Sequence, residues 1–277
     1  MSIENQKKYS ELNCLKLTKE YIEFRTNLTV RKYIHSLCPI VDERLSVLQS
    51  ERPDFIINDD SNSCSYVIEH FLIDFCYDGP NNNQSKSKRA SREVSDIYHR
   101  YHDPLIGTIN DKNIVSATAD IEAEINSIAN IASSFDYNKY IDGFKRVFGQ
   151  HYGNLETYKK NKHINCSRIK TGFIIELHCD TTLMHAGWNG SVVSFKGKHR
   201  AFPITKDMIS IIQSATELDF VILSQFNVGV FTEASDVRIL EPRNLGYSID
   251  KQHIRIYDKI YYPKINKHIK LNIEKNE

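Results

Sequence analysis

Two acidic residues, Asp54 and Glu69, flank a predicted β-hairpin. Asp54 is followed by a short apolar segment at 55–57, and the polar run at 58–63 is typical of a turn. Residues 66–73 are rich in β-branched and aromatic side chains, which favour a strand. If the two strands pair through this turn, both carboxylates lie at one end of the same small sheet.

Glu69 needs a compensating group. Alternation along a strand places it on the same face as the apolar Phe71 and Ile73. An ionised carboxylate there costs several kcal/mol unless a cation, a basic side chain or a proton compensates it. A Mg²⁺ ion, or Mn²⁺ in its place, would bind oxygens of Asp54 and Glu69, with Glu176 as a third acidic ligand.

A purely structural role for the pair is the alternative. An Asp beside a proline at the start of a strand often serves only as a turn residue. A Glu within a strand often pairs with a nearby arginine. The residue types alone leave the metal-site and structural interpretations both open.

The sequence Arg-Pro-Asp-Phe at 52–55, followed by Val-Ile-Glu at 67–69, resembles the core of the PD-(D/E)xK, or restriction-endonuclease-like, nuclease superfamily. The likeness covers residues 40–74. It implies an α/β fold in which a mixed sheet is flanked by helices in the order αβββαβ. The predicted strand, helix and strand within 172–223 would complete this core after a helical insertion.

The resemblance also implies metal-dependent hydrolysis of phosphodiester bonds in DNA or RNA, in defence or in repair. It implies that Asp54 and Glu69 are catalytic and bind the metal. Glu43, on a helix before the hairpin, would assist them.

Phe71 departs from the family motif, which has a lysine two positions after the second acid. Because that lysine orients water or stabilises charge, its absence leaves two hypotheses open. In the first, Lys86 or Lys88, on the loop-like segment 78–92, takes its place. In the second, the protein is a non-catalytic binding subunit or a regulatory protein built on the same fold.

Other charged clusters suggest further contacts. Basic residues gather at 86–92 and 159–170, and they alternate with tyrosines at 257–267. Such segments would contact phosphates or stacked bases, although solvated surface is the alternative. His99 and His102 would share a helical face as zinc ligands, but no third ligand follows at a recognisable spacing.

Composition limits the class of protein. A chain of 277 residues can bury a core without disulfides. A net charge of +1 excludes a strong overall field for nucleic acid. We expect no membrane span and no signal peptide. Six cysteines without a Cys-x-x-Cys pair indicate reduced thiols, and therefore a cytoplasmic protein.

Domain organisation follows from these patterns. We expect residues 1–50 to form a helical segment that packs on the core. Residues 51–110 and 165–277 would form the nuclease-like α/β core, and 111–164 the helical insertion. The expected partner is nucleic acid, together with another protein or a second copy of this chain.

Local patterns predict particular elements. Val41, Leu45 and Leu48 have helical spacing. Thr205 is expected to cap a helix at 206–215. The last thirty residues, which alternate Tyr and Ile with Lys, predict one or two late strands.

Overall fold

A computed structural model describes residues 3–25, 27–73, 119–120, 122–123, 136–178, 184–195, 203–227 and 230–261. The chain divides into two compact units. The first comprises Met1–Ile73 and Ile141–Tyr261, and the second comprises Asp74–Tyr140 and Tyr262–Glu277. Within the described ranges, no helix is both long enough and apolar enough to cross a membrane. The domain boundaries expected from the sequence stay a prediction.

The described helices are α1 (Ile3–Arg25), α2 (Leu28–Leu37), α3 (Tyr137–Tyr152), α4 (Leu155–Tyr158), α5 (Lys206–Ser214) and α6 (Leu245–Gln252). The described strands are β1 (Val47–Gln49), β2 (Phe55–Asp59), β3 (Cys64–Ile73), β4 (Arg168–His178), β5 (His185–Trp188), β6 (Ser191–Ser194), β7 (Phe220–Asn227), β8 (Val230–Leu240) and β9 (Lys259–Tyr261). The longest described helices are α1 and α3, and the longest described strands are β3, β4 and β8.

A six-stranded mixed sheet forms the centre of the first unit. Its strand order is β1-β2-β3-β4-β7-β8. Strands β1, β2 and β3 are antiparallel, β3, β4 and β7 are parallel, and β8 is antiparallel to β7. The α/β class and the mixed sheet flanked by helices are therefore confirmed.

The predicted strand, helix and strand after residue 172 are also confirmed. Helix α5 connects β4 to β7, and these strands pair in parallel, as a crossover connection requires. Thr205 caps α5, because its side chain accepts a hydrogen bond from the Met208 N–H at 3.4 Å.

One face of the sheet packs against α1. Ile68, Ile174 and Ile222, from three neighbouring strands, form a buried cluster with Cys14 and Ile22 of the helix. The buried α1 residues recur at a spacing of three to four, so they lie along one side of the helix. Burial of each such aliphatic side chain contributes about 1.5–3 kcal/mol.

The other face of the sheet packs against α3. The ring centroids of Phe148 and Phe173 are 5.3 Å apart, and Phe173 lies at the same distance from Phe71. Glu69 pairs in register with Phe173 and projects from this face. Because neighbours along a strand alternate, His70 projects towards α1 instead.

A second, three-stranded sheet has the order β6-β5-β9. Strand β9 confirms the prediction of a late strand. The part of the predicted late-strand region that overlaps α6 is helical instead, so the prediction is wrong there. Residues 262–277 lie outside the described ranges.

The helix predicted from Val41, Leu45 and Leu48 is wrong. Leu45 donates its N–H to the carbonyl of Asp42 in a turn, at 3.1 Å. Leu48 lies in β1, opposite Ile56 of β2. Three apolar residues at helical spacing are a weak signal, and pairing with the outer edge of β2 satisfies the backbone there instead.

Candidate metal centre

Asp54 and Glu69 lie at the open end of the β2–β3 hairpin. The antiparallel register ends at the pair Phe55–Ile68, so Asp54 and Glu69 are each the next residue beyond that pair. The predicted hairpin is confirmed, and the negative charge of Glu69 acts on the Asp54 carboxyl group.

Asp54 is anchored to the adjacent strand. Its Oδ2 accepts a hydrogen bond from the backbone N–H of His70 at 2.8 Å, and the residue is 3% exposed. Burial, and then the negative charge of Glu69, raises the pKa of Asp54 to about 7, although the His70 N–H acts in the opposite direction. The carboxyl group therefore lies where additional positive charge would be favourable.

The two oxygens of Glu69 have different surroundings. Oε1 accepts a hydrogen bond from the Tyr158 hydroxyl at 3.0 Å and lies 3.0 Å from Nδ1 of His151. Oε2 is buried and has no hydrogen-bond partner among the described residues. A buried acceptor left unsatisfied costs about 1–3 kcal/mol, and more when it is charged.

Lysine and arginine side chains do not neutralise the pair in the described part of the chain. Neither Asp54 nor Glu69 forms an ion pair with a lysine or arginine there. The nearest ionisable base to Glu69 is His151 of α3, whose side chain is 25% exposed. A divalent cation would supply the missing positive charge.

His70 and Glu176 form a second acid–base pair, on the α1 side of the sheet. Nε2 of His70 lies 2.6 Å from Oε2 of Glu176, and both side chains are 8% exposed. Burial lowers the pKa of His70, but the hydrogen bond and charge of Glu176 outweigh it, so the pKa is raised.

Glu176 is therefore separated from Glu69 by the sheet. It pairs in register with Leu72, which shares the His70 face of β3. Glu176 contacts His70 on the α1 side of the sheet, whereas Glu69 lies on the side that packs against α3. The structure does not support Glu176 as a direct third ligand beside Glu69.

Helix α1 adds two side chains to the α1 side. Glu11 and Cys14 are three residues apart, so they share one side of the helix. One group of potential ligand atoms comprises Glu11, Asp54 and His70, and another comprises Cys14, His70 and Glu176. Within each group, the atoms lie within 4.8 Å of one another.

The Cys14 group has the features of a structural contact. Burial, followed by the charge of Glu176, raises the pKa of the Cys14 thiol well above its usual value. A neutral thiol is a poor metal ligand, because the thiolate is the binding form.

The Asp54–Glu69 pair fits the divalent cation that the family resemblance implies. Both residues offer carboxylate oxygens, the donors that Mg²⁺ and Mn²⁺ take. The unpartnered Oε2 of Glu69 is the atom that a cation would satisfy. Glu11, which the sequence interpretation missed, provides an acidic residue on a helix before the hairpin.

The other predicted site residues lie elsewhere. Glu43 lies in an exposed turn rather than on a helix, so the structure does not support its placement beside Asp54. Lys86 and Lys88 lie outside the described residues, as do His99 and His102.

Phe71 stands where the resemblance would place a lysine. Its ring stacks on the imidazole of His151, with centroids 4.4 Å apart and planes 3° from parallel. His151 also contacts Glu69, so α3 brings an imidazole ring against both Phe71 and Glu69. Sequence spacing carries no signal for this contact, because the two positions are remote along the chain.

Comparison of the chain with protein-family models, with curated proteins and with solved structures finds no significant match.

Proposed function

We propose that this protein is a divalent-metal-dependent enzyme that hydrolyses phosphodiester bonds in DNA or RNA. The observation that supports it most directly is the buried Oε2 of Glu69, which has no partner in the described ranges. Burial, and then the negative charge of Glu69, raises the pKa of Asp54 to about 7. Together they form a pair of acidic residues with no lysine or arginine partner in the described ranges.

The order of elements supports the same proposal. Helices α1 and α2 precede three antiparallel strands, and α3 and α4 precede the parallel strand β4. This corresponds to the αβββαβ order that the restriction-endonuclease-like resemblance implies. One acidic residue precedes the second strand of the sheet and the other lies within the third, as that resemblance requires.

Asp54 and Glu69 would hold a Mg²⁺ or Mn²⁺ ion. A metal bound there would activate water and stabilise the charge that develops on a phosphate. The backbone N–H of His70 fixes the Asp54 carboxylate, and Tyr158 and His151 fix Oε1 of Glu69. These contacts would orient the remaining oxygens before the ion arrives.

Lys86 and Lys88 stay proposed substitutes for the family lysine. We further propose that the protein acts in the cytoplasm, in defence or repair. Its partners would be nucleic acid and either another protein or a second copy of this chain. The free thiols of Cys14, Cys38, Cys64 and Cys166 support a reducing compartment.

The second candidate function is that of a non-catalytic binding subunit or regulatory protein. Phe71 favours it, because a buried aromatic ring stands where the family has a lysine. In this case the carboxylates would serve only to hold the hairpin end and α3 together.

A cleavage assay separates the two candidates. Purified protein is incubated with single-stranded DNA, double-stranded DNA or RNA in Mg²⁺, Mn²⁺ or EDTA. Under the nuclease proposal, metal supports cleavage, and Asp54→Asn and Glu69→Gln each abolish it. The exposed acids Asp250 and Glu217 provide matched controls, and Asp250→Asn and Glu217→Gln should cleave normally. If the wild-type protein cleaves none of these substrates, the nuclease proposal is contradicted and the non-catalytic binding role is the remaining candidate.

A further inference from the structure

A second set of ligand atoms lies on the α1 side of the hairpin end. Glu11 and Asp54 each place a carboxylate oxygen, and His70 a ring nitrogen, within 4.8 Å of one another. Glu11 is 4% exposed, Asp54 is 3% exposed and the His70 side chain is 8% exposed. This set includes an imidazole, which the pair formed with Glu69 does not.

His70 is oriented as metal-binding histidines usually are. Its Nε2 is held by Glu176 at 2.6 Å, and its backbone N–H is held by Asp54. No hydrogen bond to Nδ1 is found among the described residues. A histidine that binds a metal typically donates its other ring N–H to a carboxylate, which fixes the tautomer and exposes the coordinating nitrogen.

We propose that Glu11, Asp54 and Nδ1 of His70 form a second cation site, which takes a transition-metal dication. Imidazole nitrogen suits transition metals, whereas Mg²⁺ and Ca²⁺ prefer oxygen ligands alone. Asp54 is shared with the site at Glu69, and Glu176 acts through His70 as a positioning residue. This assignment goes beyond the proposed hydrolysis and does not depend on it.

The competing explanation needs no metal. A doubly protonated His70 would donate to Glu176 through Nε2 and would face Asp54 and Glu11 as a cation. Its positive charge would then neutralise the same carboxylates. The two explanations differ in one measurable respect, because only the first places a His70 nitrogen in the coordination sphere of an ion.

Pulsed electron paramagnetic resonance with Mn²⁺ as the probe tests this difference. The protein is loaded with Mn²⁺ in the presence of excess Mg²⁺, so that Mg²⁺ competes for the oxygen-only site. We expect electron-spin-echo modulation from a coordinated ¹⁴N nucleus, and we expect ¹⁵N-histidine labelling to replace it with ¹⁵N coupling. Bound Mn²⁺ with water protons but no nitrogen coupling, or no bound Mn²⁺, overturns the site.

Variants identify the histidine. His70→Gln should lose the nitrogen coupling, whereas His163→Gln, at an exposed histidine, should keep it. Glu176→Gln should keep the coupling but bind Mn²⁺ about 10–100-fold more weakly, because it loosens the imidazole. Circular dichroism checks that each variant is folded. If His70→Gln does not fold, the labelled wild type and Glu176→Gln still decide the outcome.

The result is independent of the cleavage assay. If nitrogen coupling is observed in a protein that cleaves no nucleic acid, the second cation site is supported and the proposed function is contradicted. If metal-dependent cleavage is observed without nitrogen coupling, the proposed function is supported and the second cation site is contradicted.

Discussion

Oε1 of Glu69 lies 3.0 Å from Nδ1 of His151, and the imidazole ring stacks on Phe71 two residues further along the same strand. The Tyr158 hydroxyl donates to the same oxygen. One oxygen of the carboxylate is therefore held by α3 and α4, while Oε2 has no partner within the described ranges. This asymmetry is the basis of the metal-site proposal.

Neutralising Glu69 should stabilise the metal-free protein or leave its stability unchanged. Glu69→Gln removes a buried charge, so its melting temperature in EDTA should equal or exceed that of the wild type. Mn²⁺ should then raise the melting temperature of the wild type and of the Glu217→Gln control more than that of Glu69→Gln. At a concentration 100 times the dissociation constant, one bound ion contributes about 2.7 kcal/mol. An unchanged Mn²⁺ response in Glu69→Gln would count against the site.

Removing the groups that hold Oε1 should destabilise the protein. Tyr158→Phe and His151→Ala each leave an oxygen of Glu69 with one contact fewer, at a cost of about 1–3 kcal/mol. Urea denaturation in EDTA measures this difference. His163→Ala, at an exposed histidine, should change the free energy of unfolding little. Equal stability of all three variants and the wild type would show that Glu69 does not depend on these contacts.

Protonation of Asp54 should make the metal-free protein more stable in mild acid. The pKa of Asp54 is raised to about 7 by burial first and by Glu69 second, whereas an unfolded Asp titrates near 3.9. The folded state therefore binds the proton more tightly. Its contribution to stability is complete below about pH 4 and is lost as the pH rises through about 7.

The pH dependence is measured by urea denaturation in EDTA from pH 4 to pH 8, comparing wild type with Asp54→Asn. Asn stays neutral throughout, so the stability of the variant relative to wild type should increase over this range. The comparison is needed because the charges of Glu69, Glu11 and His70 also act on Asp54. A difference that stays constant with pH would contradict the raised pKa.

The His70–Glu176 pair should show strong energetic coupling. Removal of one member of a buried pair typically costs about 3–5 kcal/mol, because it leaves the other polar group unpaired. We expect Glu176→Leu and His70→Leu to be strongly destabilising in EDTA. The double variant should lose much less than the sum of the two. A double-mutant cycle with additive losses would show that the 2.6 Å contact contributes little.

Gly172 tests the pairing of β4 with β7. It lies opposite Phe220, and a Cβ added at Gly172 would overlap the Phe220 ring. Gly172→Ala should therefore destabilise the protein by about 1–3 kcal/mol, as overpacking of a core does. Gly246→Ala is the control, because open space surrounds that position. Equal stability of both variants would contradict the parallel register.

The elements predicted correctly have strong local signals. The polar turn at 58–63 lies between two apolar segments, which is enough to predict the hairpin. Thr205 precedes an apolar stripe at helical spacing, and the cap and α5 follow. By contrast, β1 has only three residues and is fixed by its partner strand, so a weak helical pattern was misleading there.

The site was predicted only where it lies within one hairpin. Asp54 and Glu69 lie at the open end of the hairpin, and alternation and turn chemistry reveal the hairpin. Glu11 and His151 reach the same region through the packing of α1 and α3 on opposite faces of the sheet. No spacing rule connects residues that meet in this way, and the sequence therefore indicates Glu43, which is nearer to the hairpin along the chain, rather than Glu11.

An anomalous difference map from Mn²⁺-soaked crystals tests the central claim most directly. The account predicts a peak within coordination distance of both the Asp54 and the Glu69 carboxylates. A map without a peak there, with each carboxylate instead paired to a lysine or arginine, would contradict it.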